Sequence, residues 1–199
     1  MDLNVERLTP ARGADYLRFF DHERGPAFAD NPEWAKCYCH YYEVPPALEW
    51  GGFDGAANRL AMTARIEAGE MEGYLAYAEG QVVGWMNAQP YHKLRHACAR
   101  MRITQPPLPV PAHDAAAIVC FVIAPAHRRQ GVARALLYAG LDNLRARGLA
   151  LVDAFPWKSD PDTTWPADHY HGTLSMFAAA SFVPIATHDT LTVVRKTLR

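Results

Sequence analysis

Residues 123–137 read IAPAHRRQGVARALL: the end of an apolar run, a proline, two arginines, a glycine and a stretch with helical spacing. A helix N-terminus already carries partial positive charge, so Arg128 and Arg129 oppose its dipole unless an anion sits among them. Gly131 has no Cβ and lets such an anion approach the backbone closely. Ala133 is small for the same purpose, or for packing on a sheet. The arginines add charge-assisted contacts. Neither G-x4-G-K-[ST] nor G-x-G-x-x-G is present, which sets aside the two common nucleotide loops. The stretch reads as a polyphosphate site between a strand and a helix.

Working outward, AAIVCFVIA at 116–124 is a continuous apolar run with β-branched residues, the pattern of a strand buried on both faces. On the other side, Ala133, Leu136, Leu137, Gly140, Leu141 and Leu144 form one helical stripe, and Gly148 supplies the C-terminal cap. LALVDAF at 149–155 reads as the next strand, followed by a loop, a helix around 171–180, and strands near 182–187 and 190–197. Upstream, LNVERL at 3–8 is a first strand, and Thr9-Pro10 opens a first helix that ends before Gly25-Pro26. A helix from Asp54 closes at Gly69, and 73–89 forms a hairpin turning at Glu79-Gly80. Residues 91–100 read as a short helix and QPPLPVPAHD at 105–114 as an irregular loop. The fold expected is α/β (α+β): a mixed central sheet of about six to seven strands flanked by helices, a single domain over 1–199.

R-x-x-G-x-A (Arg128, Gly131, Ala133) behind Ile123-x-Pro125 resembles the acetyl-CoA pyrophosphate loop of the GNAT N-acetyltransferase superfamily, [RQ]-x-x-G-x-[GA] after a V-x-P strand end. The order of hairpin, central strand, loop, helix, strand and terminal helix–strand follows that superfamily across most of the chain. The resemblance implies acetyl-CoA as co-substrate, with Phe121, Val122, Ile123, Arg128, Arg129, Gln130, Gly131, Val132, Ala133 and Arg134 around it. It implies that the pantetheine arm pairs with the backbone of Phe121 and Ile123, and that an N–H near Val122 steadies the oxyanion. These enzymes usually carry a tyrosine four residues before a Gly-Phe pair, and it protonates the leaving thiolate. Here those positions read Phe177 and Ser181-Phe182.

Composition bounds the rest. The 199 residues carry 20 basic and 21 acidic side chains, a net charge of −1, so no global field draws the chain to nucleic acid or anionic lipid. MDLNVERLTPARG lacks the basic flank and apolar stretch of a signal peptide, and no apolar run reaches membrane-span length. A cytoplasmic protein with four free thiols is expected. CYCH at 37–40 invites a metal reading, but its spacing is C-x-C with no second pair, and packed thiols are the plainer account, so no metal is expected.

The acceptor is expected to be the primary amine of a small molecule, attacking the thioester directly in a ternary complex. A polyamine or aminoglycoside, a peptide amine, and a non-catalytic acyl-CoA sensor are the alternatives. A homodimer is compatible with the resemblance. The amine must lose a proton before attack. Asp153, His169 and His171 are candidate bases, each with an ordinary structural reading beside it, and Tyr170 is the candidate acid replacing the missing tyrosine. Cys120 is read as a core thiol rather than an acyl carrier. The aromatic segment 28–53 offers Trp34, Tyr38 and Tyr41 as acceptor walls, with Asp168 opposite, or else covers the core. Asp160, Asp162, Glu43 and Glu49 would add acidic walls suited to a polycation, or be solvated loop charges.

Overall fold

The structure, a computed structural model, describes residues 2–103, 108–158 and 166–199, with residues 166–168 described by backbone alone. The expectations placed on Asp160, Asp162 and the Asp168 side chain, and on part of the proline-rich loop, lie outside the described residues.

β1 (Asn4–Arg7) pairs antiparallel with β2 (Tyr74–Ala78), and β2 with β3 (Gln81–Pro90). The turn between β2 and β3 has both Glu79 and Gly80 in the left-handed region (φ 50° and 76°), the two-residue form whose twist suits a hairpin. β3 pairs antiparallel with β4 (Ala115–Ile123), and β4 runs parallel to β5 (Leu151–Ala154). β6 (Val183–Thr187) and β7 (Thr192–Thr197) complete a seven-stranded mixed sheet in the order β1-β2-β3-β4-β5-β7-β6.

The helices are α1 (Gly13–Phe20), α2 (Pro32–Ala35), α3 (Gly55–Glu67), α4 (Ala97–Arg100), α5 (Val132–Ala146) and α6 (Leu174–Ala179). Residues of α1 and α3 join Trp85 and Leu75 in one buried cluster; α5 and Phe177 of α6 join Met86 and Ile118 in the other. The sheet therefore has an apolar layer on each face. α5 lies close because small residues face it. A Cβ on Gly140 would come within 2.3 Å of Met86 Cε, and one on Gly84 within 2.7 Å of Val132 Cγ1. Among the described residues no helix is long and apolar enough to cross a membrane.

The feature that makes room for a site is the parting of β4 and β5. Only Ala115–Ile118 pair with Leu151–Ala154, so β4 continues from Val119 to Ile123 with no strand of the described residues on that edge. On its other edge Ala88 faces Ile118 and Asn87 faces Cys120, which leaves Val119 as an extra residue. Such a bulge raises local twist and turns the strand end away.

α6 begins at Thr173, whose hydroxyl accepts the Met176 N–H (3.2 Å). It is followed by Ser181 at φ 63°, a conformation that favours glycine, at the position where the family resemblance implies one. Ser181→Gly is expected to raise stability by about 0.5–1 kcal/mol, the relief of the left-handed penalty less the added chain entropy. Urea midpoints of the two proteins check this; an unchanged or lower midpoint would contradict it.

Candidate active site

After β4 the chain makes one tight turn at Pro125–His127, then passes through Arg129 (φ 62°) and Gly131 (φ 86°) into α5. The first helical bond runs from Ala135 N–H to the Gly131 carbonyl (2.9 Å), and among the described residues no backbone hydrogen bond engages the N–H groups of Gly131, Val132, Ala133 or Arg134. A Cβ built on Gly131 meets nothing within 4 Å, so the space in front of these donors is open. They face a cleft of about 860 Å³. Of the residues expected around the cofactor, Phe121, Val122, Ile123, Arg128, Arg129, Gly131, Val132, Ala133 and Arg134 line it. Gln130 does not; its amide donates to the Ala126 carbonyl (2.8 Å) and braces the loop.

The two arginines divide the work differently from the sequence reading. Arg129 and Arg134 are exposed at the cleft with no ion pair among the described residues. Arg128 instead donates to the Ile123 carbonyl (3.1 Å) and forms a two-pronged ion pair with Asp30 (3.0 Å for the longer bond). It closes the loop and straps it to the aromatic segment. Its bond to the Ile123 carbonyl also engages one of the backbone groups expected to meet the pantetheine arm.

A second cavity, about 170 Å³, opens beside the first. Its described lining comprises Phe28, Glu33, Trp34, Lys36, Cys37, Cys39, Tyr41, Tyr42, Trp50, Cys120, Val122 and Tyr170. Most of these belong to residues 28–53, which run without a strand and are held by side chains from elsewhere. Asn58 donates to the Lys36 carbonyl (2.8 Å) and bonds His40 Nδ1 (2.7 Å). Arg100 donates to the carbonyls of Val44, Pro45 and Leu48 and stands 5.0 Å from the Tyr41 ring centre. Tyr38 and Cys39 are successive left-handed residues (φ 47° and 56°), and the reversal they impose decides which rings face inward.

Of the three aromatic residues expected at the acceptor, Trp34 and Tyr41 line this cavity and Tyr38 does not. Tyr38 is fully buried in the core, its carbonyl accepting from Tyr16 and its hydroxyl from the His22 N–H. Of the acidic candidates with described side chains, Glu43 pairs with Arg65 (3.1 Å) and Glu49 is exposed outside the cavity. Among the described residues no three His, Cys, Asp or Glu side chains form a possible metal set. The CYCH side chains diverge: Cys39 Sγ accepts from Asn87 (3.2 Å) while His40 turns to Asn58.

The cleft and the cavity share Phe28, Val122 and Tyr170. Tyr170 stands edge-on to Trp34 (5.4 Å between ring centres), and burial pushes its hydroxyl well above the ordinary tyrosine value. Phe177, at the position of the family tyrosine, is 0% exposed and packs against Phe121 and Phe182. His169 lines the cleft. His171 lines neither space: it is buried behind Tyr42, whose hydroxyl it meets at 2.9 Å, and burial lowers its pKa to about 3, so it stays neutral. Cys120 is held as a thiol by its hydrogen bond to Cys39 and by burial, which leaves no thiolate for a covalent path.

Asp153 departs furthest from its expected role as a base. Its register partner across β5 and β7 is Arg195, whose guanidinium bonds both carboxylate oxygens (2.7 and 2.8 Å) while Tyr91 donates to one of them (2.7 Å). It is 0% exposed and lines neither cavity. The side chain is a cross-strand tie. Sequence reasoning also passed over Phe28, Asp30, Glu33, Tyr42, Trp50, Thr173 and Met176 as site residues; aromatic density flagged the region of some of them, but nothing in the spacing said which rings turn inward.

A mixed sheet that parts beside a bulged central strand, with a glycine loop heading the next helix, defines the GNAT acetyltransferase class. The family model described as Acetyltransferase (GNAT) family matches residues 32–163, and the chain belongs to that family. Its fold is similar to an N-acetyltransferase from Staphylococcus aureus Mu50 (TM-score 0.58, 10% identity, all of both chains covered). It is also similar to the PaiA N-acetyltransferase of Thermoplasma acidophilum in complex with coenzyme A (0.54, 9%, 99% of each chain). A third relative in fold is the ribosomal-protein-S18-alanine N-acetyltransferase of Escherichia coli (0.52, 12%, 99% of this chain and 94% of that one). No curated protein matches the chain by sequence.

Proposed function

We propose that the protein transfers an acetyl group from acetyl-CoA to a primary amine held in the aromatic cavity. The observation that carries this is the meeting of an anion-ready cleft and an aromatic cavity at Val122 and Tyr170. The open N–H groups from Gly131 to Arg134, with Arg129 and Arg134 beside them, suit a pyrophosphate. The edge of β4 beyond its pairing with β5 gives the pantetheine arm a strand to lie along, and a backbone N–H on that edge, beside Val122, steadies the oxyanion. The amine nitrogen bonds the thioester carbonyl carbon and the carbon–sulfur bond breaks. Tyr170, kept protonated, gives its proton to the sulfur. Glu33, the carboxylate among the described residues lining the cavity, passes the amine proton to water, and Tyr170 takes a proton back from water, so the enzyme ends with its protons restored. The free thiols Cys37, Cys39, Cys98 and Cys120 support a reducing compartment, the cytoplasm, as the place of action.

Gly131→Val tests the donor half. The added Cβ enters open space in the free protein, so folding loses only the left-handed strain of about 1–2 kcal/mol. The same Cβ stands where the pyrophosphate approaches, and CoA affinity is expected to fall about 100-fold, some 2.7 kcal/mol. Calorimetric titration of folded variant and wild type with CoA reads this. Undiminished affinity would remove the loop from the donor site. CoA binding in the wild type with no thiol release from any amine would instead leave a binding module.

A further inference from the structure

We infer that the acceptor is a small amine bearing one aromatic ring on a short arm, an inference that rests on the acetyl-transfer reading above. The cavity is walled by Trp34, Tyr41, Tyr42 and Trp50, with Phe28 and Tyr170 at the end it shares with the donor cleft. Tyr41 meets Trp50 at 5.3 Å and 89°, and Trp34 meets Tyr170 at 5.4 Å and 88°. These pairs are already packed edge to face, the arrangement that another ring extends at little cost. Among the described residues the charges at the cavity are one carboxylate and one ammonium, Glu33 and Lys36, which cancel. A polyamine or amino sugar would exchange water for indole and phenol faces while meeting a single acid among the described residues.

Size separates the candidates further. A dry cavity of about 150 Å³ takes up one benzene molecule. The space here, about 170 Å³ and open to the donor cleft, holds one ring and a short aminoalkyl arm, while linked sugars would extend beyond its aromatic walls. With the ring between Trp50 and Trp34, such an arm carries its nitrogen toward Val122 and Tyr170.

The test is thiol release from acetyl-CoA with benzylamine, phenethylamine, spermidine, kanamycin and an alanyl-terminal peptide. The two arylamines are expected to show kcat/KM at least about ten-fold above the rest, the discrimination a filled apolar pocket supplies. Trp50→Ala is expected to raise KM for phenethylamine at least about ten-fold while CoA affinity holds; Trp34→Leu serves if that variant does not fold. Preference for spermidine, kanamycin or the peptide overturns the acceptor class and keeps acetyl transfer. Should no amine turn over, the acetyl-transfer reading fails, and calorimetric titration of the CoA-saturated protein with phenethylamine decides the cavity by itself. Saturable binding lost in Trp50→Ala supports an aryl site; no binding overturns it.

Discussion

Tyr170→Phe is expected to lower kcat by about 10²–10⁴-fold, the usual contribution of a positioned acid, with CoA affinity unchanged. The substitution removes one oxygen from a ring whose packing against Trp34 is kept. The expectation follows from Phe177: the position that carries the acid in related enzymes is a buried ring without a hydroxyl, while Tyr170 is the tyrosine common to cleft and cavity. The pH profile gives a second reading. Burial raises the Tyr170 pKa, so the proton stays on the oxygen as pH climbs to the ordinary tyrosine value near 10. Wild-type kcat/KM is therefore expected to rise as the amine deprotonates and to show no fall below about pH 10 from this group. A descending limb near pH 9 that disappears in the phenylalanine variant would contradict the protonated state, and an unaltered kcat would remove Tyr170 from the chemistry.

Asp153→Ala is expected to cost about 3–5 kcal/mol of folding stability, the penalty for breaking a buried ion pair from one side. Both Arg195 and Tyr91 lose the carboxylate they bind, between strands that hold the far half of the sheet. Because Asp153 lines neither cavity, activity per folded molecule is expected to persist in Asp153→Asn, which keeps hydrogen-bonding capacity at lower cost. Thermal unfolding with and without CoA, alongside initial rates, separates the effects. A large loss of rate in a variant of normal stability would return Asp153 to the role of base.

These cases show what the sequence discloses. The strand at 116–124, the glycine loop and the stripe from Ala133 to Leu144 are local patterns set by neighbours a few residues away, and the structure follows them closely. So does the hairpin, because Glu79-Gly80 fixes its turn locally. Asp153 could not be assigned in that way: its partner lies 42 residues later, and only the β5–β7 register brings them together. Arg128 carries the family signature, yet its partner Asp30 lies 98 residues earlier, in a segment with no periodicity. Tyr38 and Tyr41 look alike in sequence; a pair of left-handed residues sends one to the core and the other to the cavity.

The parting strands and the side-chain-braced segment 28–53 differ in how they tolerate change. The donor cleft is built on β4 and the head of α5, where Gly84 and Gly140 leave less than a methyl group of slack. The aromatic wall hangs from a few anchors, chiefly Asn58, Arg100 and the Arg128–Asp30 strap, and its rings occupy no sheet or long-helix positions. Ring identities can therefore drift, and loop length with them, while the anchors hold the chain in place. A lineage of such proteins would keep one acyl donor and diversify its amines, with new specificities arising in residues 28–53 at small cost to folding.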